Sequence, residues 1–246
     1  MIKLRRLALA TLALPFALAA CGDTAEEGAT SGEPIAPIAA PAGTQWVDQV
    51  QVTEADGYLI GNPDAPIKLI EYGSLTCGAC AQFAATGAEE LKNEYVNSGR
   101  VSFELRNQVH NGLDLVLARL VRCGAPESMQ PLSDQVWLNL ETVLGNAQAN
   151  PQALDAAMAL PEDQRFAAAA DAAGFLDFFA TRGLSRDQAA TCLADPAAVT
   201  AIAERSDAQS KELGVTATPT FILNGKVLEE RSWPEIEAAL QRAGAR

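Results

Sequence analysis

Two cysteines three residues apart, Cys77 and Cys80 in "YGSLTCGACAQFA", are the residues in this chain best equipped for chemistry. Sulfur at that spacing has three uses: half of a metal site, two ordinary core residues, or a dithiol that exchanges disulfides. A zinc site would want a second close pair or clustered histidines. The remaining cysteines are Cys21, Cys123 and Cys192, far apart in sequence, and the only histidine is His110. A dithiol needs one ionised sulfur, because the thiolate and not the thiol attacks a disulfide. Free cysteine ionises near pH ~8.5, so its surroundings must help. The first turn of a helix does this through its unpaired N–H groups and its dipole. Cys77 precedes a stretch in which Cys80, Phe83, Gly87, Leu91 and Tyr95 recur at three and four residues, a helical face. Cys80 then lies one turn further in, on the side where the two sulfurs can meet.

Those cysteines need a strand before them and a sheet beneath. Residues 67–73, "IKLIEYG", form a compact apolar run with one acid, Glu71, six residues before Cys77. An unpaired carboxylate buried there would be costly, and its pKa would rise until it could accept and return a proton near Cys80. The alternative is a strand-end position in water. Asn97-Ser98-Gly99 closes the helix, and "VSFELRN", residues 101–107, alternates like a second strand. Strand, helix, strand makes a βαβ unit with a parallel crossover. From Leu113 to Leu213 the chain is rich in Ala, Leu, Asp and Gln without convincing strands. Helices are predicted at 113–122, 130–144, 162–180 and 197–213. Residues 214–230, "GVTATPTFILNGKVLEE", predict two short strands around Asn224-Gly225. "SWPEIEAALQRAG" closes the chain as a helix with Ser232 at its N-cap and a proline in its first turn. Ahead of the βαβ unit, residues 46–66 read as extended chain and turns.

The fold class is therefore α/β, a βαβ half and a ββα half with an α-helical domain inserted between them. The expected bounds are 57–110, 111–213 and 214–246. This order around a Cys-x-x-Cys is the thioredoxin plan, and with the helical insertion the chain resembles the DsbA family of bacterial thiol–disulfide oxidoreductases. The resemblance covers roughly residues 58–244 and rests on "GNPDAPIKLIEYGSLTCGAC" and "GVTATPTFILNG". It implies Cys77 as nucleophile, Cys80 as buried resolving thiol and Glu71 at the place of a family acid. It also implies that Thr218-Pro219 is a cis peptide beside the Cys-x-x-Cys, leaving the backbone of Thr218 to pair with an extended substrate chain. Taken alone, Pro219 reads as an ordinary trans proline at the start of an edge strand. Two positions depart from the family's oxidases. Gly78-Ala79 stands where Pro-His is common, so a thiolate of higher pKa and a less oxidising disulfide are expected. Thr218 stands where valine is frequent, as in isomerase or reductase relatives. The net direction of exchange stays open, and the expected potential falls between thioredoxin, at about −270 mV, and the strong oxidase, at about −120 mV.

The N-terminus has its own signals. "MIKLRRLALATLALPFALAAC" has a basic start and an apolar run too short to span a bilayer, so residues 1–20 read as an export signal. Leu18-Ala19-Ala20-Cys21 resembles the lipobox of bacterial lipoproteins, which would make Cys21 a lipidated N-terminus; the alternative is an ordinary signal with a chance cysteine. Residues 22–44 are Ala, Gly, Pro and Glu with little to bury, and the segment 21–56 is expected to be a disordered tether. With Cys21 set aside, Cys123 and Cys192 form a second pair, which suits an oxidising compartment. A bond between them would tie two helices and close a long loop, contributing around 4 kcal/mol; the alternative is two free buried thiols.

Composition narrows the partners. The net charge of −13 excludes nucleic acid, whose phosphates need a basic face. The main expectation is a monomeric oxidoreductase of the bacterial cell envelope or periplasm, held to the membrane by lipid on Cys21. Its partners would be the thiols and disulfides of exported proteins, and a membrane redox protein that recycles the dithiol. No cofactor and no metal are expected, and His110 is expected to be satisfied or exposed rather than a ligand. Two competitors remain. One is a thioredoxin-like chaperone that holds unfolded exported chains beside Pro219; the other is a copper carrier using Cys77 and Cys80 as soft ligands.

Overall fold

Alternating burial along short strands builds the platform for the cysteines. In the computed structural model, which describes residues 32–246, Ile67, Leu69 and Glu71 are buried on one face of a strand while Lys68 is exposed on the other. The expected export signal and Cys21 lie outside the described residues. Six strands form one sheet: β1 (Val50–Val52), β2 (Tyr58–Gly61), β3 (Ile67–Gly73), β4 (Val101–Asn107), β5 (Thr220–Leu223) and β6 (Lys226–Val227), in the order β1-β2-β4-β3-β5-β6. β3 and β4 are parallel, and every other pair is antiparallel. Asn224 and Gly225 both take positive φ, 48° and 81°, as the tight β5–β6 turn demands.

After β3 comes α1 (Gly78–Thr86), then α2 (Ala88–Glu90) and a π-helical turn, Leu91–Val96. The single helical face expected from Cys77 to Tyr95 is thus broken at Gly87. A Cβ there would lie 2.5 Å from the Trp233 ring, so the indole occupies the space a side chain would need. The helical insertion comprises α3 (Gly112–Leu120), α4 (Met129–Leu138), α5 (Leu140–Ala149), α6 (Pro151–Met158), α7 (Glu162–Ala172), α8 (Phe175–Ala180), α9 (Arg186–Leu193) and α10 (Pro196–Leu213). The expected helix 130–144 divides at Asn139, and 162–180 divides at Gly174, whose φ is 74°. α6 was not anticipated, whereas the helical character expected around Cys192 is met by α9, which Ser185 and Gln188 start with a capping box. α11 (Trp233–Arg242) begins with its own capping box, Ser232 with Glu235.

The insertion and the sheet share a core. Leu75, Cys80 and Leu105 are buried with Leu117, Met129, Trp137, Phe175 and Phe179 of the helices. A second cluster holds Leu69, Phe83, Phe103, Phe221, Trp233 and Leu240. α1 therefore places Cys80 in one cluster and Phe83 in the other. No helix among the described residues is long and apolar enough to cross a membrane.

One expectation needs correcting: the segment 21–56 is not a free tether from residue 32 onward. Gly32 and Ile35 donate backbone N–H bonds to Arg242 and Gly244, and Ile38 donates to Ser98. Trp46 Nε1 donates to the Ile38 carbonyl at 2.7 Å, and Ile35 packs on the second cluster. Pro34, Pro37 and Pro41 restrict this stretch before it docks, which lowers the entropy lost on ordering it. Low mean apolarity hid a few well-spaced anchors.

Candidate active site

Cys77 is the N-cap of α1, in extended backbone at φ −93° and ψ 121°. Its N–H donates to the Ser74 carbonyl at 3.2 Å, closing the loop that follows β3. Its Sγ accepts from the Cys80 N–H at 3.4 Å, and its thiol donates to the Thr218 carbonyl at 3.3 Å. Cys77 is half-buried and Cys80 fully buried, and both are free of disulfide bonds. The Cys80 side chain, by hydrogen bonding, is the largest cause that brings the Cys77 thiol down to about 5; Thr218 and the N–H groups of Cys80 and Ala79 add to it, against the opposing effect of burial. The same hydrogen bond, then burial, pushes Cys80 far up. One sulfur is made ready to ionise and its neighbour to keep its proton.

Beneath them sits Glu71, in register with Leu105 of β4 and Phe221 of β5. It is 1% exposed, and its Oε1 has no hydrogen-bond partner among the described residues. Burial pushes its pKa up to about 8; the Asp134 charge adds to this, Lys92 opposes it, and Cys77 raises it further. In turn Glu71 raises Cys80. The carboxyl is therefore inside the electrostatic reach of both sulfurs, not at a solvated strand end.

On the other side of Cys77, the Thr218–Pro219 peptide is cis. Thr218 is buried, and Thr220 Oγ1 donates to the Ala217 carbonyl at 2.7 Å, fixing the loop that leads into β5. A cleft of about 480 Å³, lined by neither cysteine, runs along α1 from Ala79, the residue before Cys80. Ala79, Gln82, Phe83 and Thr86 of α1 form one wall, and Ser232, Trp233 and Pro234 form the other. A larger cavity, about 750 Å³, is lined by Glu89, Glu90, Glu94 and Arg100 and touches none of the sulfurs.

Several residues that shape this site escaped the sequence reading. Asp114 of α3 is buried and accepts from the Leu75 N–H at 2.8 Å, Ser74 Oγ at 2.7 Å and the His110 N–H at 2.9 Å. Burial raises its pKa while those donors pull it down. Trp137 Nε1 donates to the Ser74 carbonyl at 2.8 Å. The helical insertion thus grips the loop that presents Cys77. Asn111 caps the start of α3, its side chain accepting from the Asp114 N–H. His110 is exposed, and its backbone N–H donates to Asp114. Cys123 and Cys192 are joined by a disulfide with Cα atoms 5.8 Å apart, between the residues after α3 and the last turn of α9. Among the described residues, no group of three or more His, Cys, Asp or Glu side chains is placed to hold a metal ion.

Comparison with known proteins agrees with this fold. Residues 53–242 match the family model described as Thioredoxin. A Rickettsia bellii protein named "Putative protein-disulfide oxidoreductase" is 23% identical over 185 residues, covering 75% of this chain and 63% of its own length. The chain thus spans under two thirds of that relative. The crystal structure of a protein-disulfide isomerase from Novosphingobium aromaticivorans superposes with a TM-score of 0.67 at 28% identity, covering 74% of this chain and 96% of that one. Wolbachia pipientis alpha-DsbA1 shares the fold, with a TM-score of 0.59 at 20% identity, covering 78% and 93%. On the match over residues 53–242, the chain belongs to the thioredoxin family.

Proposed function

We propose that this protein is a thiol–disulfide oxidoreductase acting on exported proteins through Cys77 and Cys80. One observation carries the reading. Cys77 Sγ is half-exposed at the first turn of α1, held 3.4 Å from the Cys80 N–H, with a buried thiol and a buried carboxyl behind it. In the reducing direction, the Cys77 thiolate attacks a substrate disulfide and forms a mixed disulfide, releasing one substrate thiolate. Cys80 then gives its proton to Glu71 and attacks Cys77 Sγ. The second substrate thiolate leaves, and the Cys77–Cys80 bond stores the oxidation that the substrate has lost. In the oxidising direction each step reverses, and Glu71 returns the proton to Cys80.

Thr218 and Pro219 offer the substrate a place. The Thr218 carbonyl faces Cys77 Sγ, and the apolar cleft lined by Ala79, Phe83 and Trp233 would receive side chains flanking the reacting cysteine. The names of the Rickettsia bellii and Novosphingobium aromaticivorans proteins support the same chemistry. The Cys77 pKa of about 5 lies between about 7 for thioredoxin and about 3.5 for the strong oxidase, and supports an intermediate redox poise without a histidine between the cysteines. Location in the bacterial envelope, lipid on Cys21, a membrane protein that recycles the dithiol and a monomeric state complete the proposal.

The test is reduction of insulin, paired with recovery of a reduced, scrambled substrate. Wild type accelerates at least one of the two, and Cys77→Ser abolishes the acceleration. Equal rates for the two proteins in both assays would refute the enzyme reading. A Cys77→Ser protein that still prevented aggregation would favour a chaperone that uses the cleft alone.

A further inference from the structure

Glu71 is buried with an unpartnered oxygen, yet charged side chains from two other elements act on it. Asp134 lies on α4, one turn before Trp137 and on the same face. The Trp137 ring and Glu71 Oε1 close on one spot: a Cβ at Gly73 would meet both at 3.1 Å. That face of α4 is therefore turned toward Glu71. Asp134 in turn makes an ion pair with Lys92 of the π-helical turn. Both side chains keep partial contact with solvent, at 16% and 26% exposure for Lys92 and Asp134. The other titratable groups facing Glu71 are Cys77 and Cys80 of α1. The strands beside it present Leu105 and Phe221 at its register.

We propose that the Lys92–Asp134 ion pair is a positioning pair that sets the proton affinity of Glu71, and through it the pH range over which Cys80 resolves the mixed disulfide. The inference rests on the reading of Glu71 as the group that takes the Cys80 proton. Its physical content is cancellation. Asp134 disfavours a second negative charge at Glu71, Lys92 favours it, and neither is screened by bulk water as a surface charge would be. Removing either charge alone unbalances Glu71, and the two removals act in opposite directions. The pair makes no bond to sulfur and takes no proton from Cys80. The electron pair still moves from Cys80 Sγ to Cys77 Sγ, and the substrate sulfur leaves with the pair that bound it.

The experiment prepares the mixed disulfide of Cys77 with glutathione and follows its resolution by Cys80 in a single turnover, from pH 5 to 10. Wild type shows an inflection near 8, where Glu71 titrates. Lys92→Met moves the inflection up and Asp134→Asn moves it down, each by about one pH unit. The double variant returns toward wild type, and Lys92→Arg keeps the wild-type profile. A loss of packing alone would lower rates without opposite shifts. Shifts of the same sign, or none, overturn the proposal. Glu71→Gln separates the layers. If it abolishes the inflection while the charge variants leave it in place, the ion-pair inference fails and the role of Glu71 stands. If Glu71→Gln keeps the inflection, the role of Glu71 fails and the ion-pair inference fails with it.

Discussion

At the scale of single residues, Cys77 shows how little is needed to make a sulfur acidic. Without a histidine between the cysteines, the Cys80 side chain, Thr218 and two N–H groups outweigh the burial that opposes ionisation. The effect is linked to stability. The folded pKa, about 5, lies below the ordinary thiol value of 9.0, so ionisation stabilises the reduced fold fully above pH 9. That stabilisation fades as pH falls from 9 toward 5. The reduced protein is therefore expected to titrate one thiolate with a midpoint of about 5 by ultraviolet absorbance, and Cys77→Ser to lose it. Over the same range its melting temperature, measured against Cys77→Ser, should rise from pH 5 to pH 9. A thiolate midpoint above pH 8 would contradict this account of the site. Residue type and spacing drew attention to Cys77, Cys80 and Glu71, and the family resemblance to Pro219, because each stands in a short recognisable stretch. Asp114, Lys92 and Asp134 were illegible for a physical reason: Asp114 meets Leu75 across 39 residues of chain, and Lys92 meets Asp134 across 42.

Elements were legible where the pattern was local and blurred where tertiary contact decides. β3, β4 and the β5–β6 turn follow from alternation and from Asn224-Gly225, and α11 from Ser232 and Pro234. The break at Gly87 was hidden because its cause, Trp233, comes from the far end of the chain. The divisions at Asn139 and Gly174 were missed because apolar residues continue across both, and only the backbone reveals the turn. The Cys123–Cys192 bond belongs to this scale. It joins the end of α3 to α9 across a sequence separation of 69 residues. By the chain-entropy argument, a loop of that size stabilises the fold by about 4 kcal/mol. Replacing both cysteines by serine should lower the urea midpoint accordingly, by up to about 4 kcal/mol in unfolding free energy. The same variant should leave the Cys77 thiolate midpoint in place, since neither residue is among the groups that shift it. Unchanged stability would show that the bond is absent in solution or that its loop is already constrained in the unfolded chain.

The whole molecule has two poles, and the sheet separates them. Cys77 follows the C-terminal end of β3, whose seven residues span about 20 Å. The opposite end starts at Ile67, whose N–H donates to the Arg100 carbonyl; the Arg100 side chain donates to the carbonyl of Arg246, and Arg246 reaches the carbonyl of Gly32. The N-terminal strap therefore enters the fold at the pole away from the reactive sulfur. Ten residues, 22–31, separate Cys21 from Gly32 in sequence. Fully extended, ten residues reach at most about 35 Å. If Cys21 carries lipid, as proposed, attachment at the far pole within that reach turns Cys77 outward from the membrane, toward soluble substrates. Lipidated protein in nanodiscs should then reduce insulin within about twofold of the rate of soluble Cys21→Ser protein, because nothing at the bilayer shields the sulfur. Removing residues 32–46 frees that pole, loses the Ile35 and Trp46 contacts, and should slow the nanodisc-bound enzyme relative to the soluble form as the domain gains freedom to lie on the lipid. A nanodisc rate already tenfold below the soluble one in the intact chain would mean that the anchor leaves from the same side as Cys77, against the hydrogen bonds that place Gly32 beside Arg242 and Arg246.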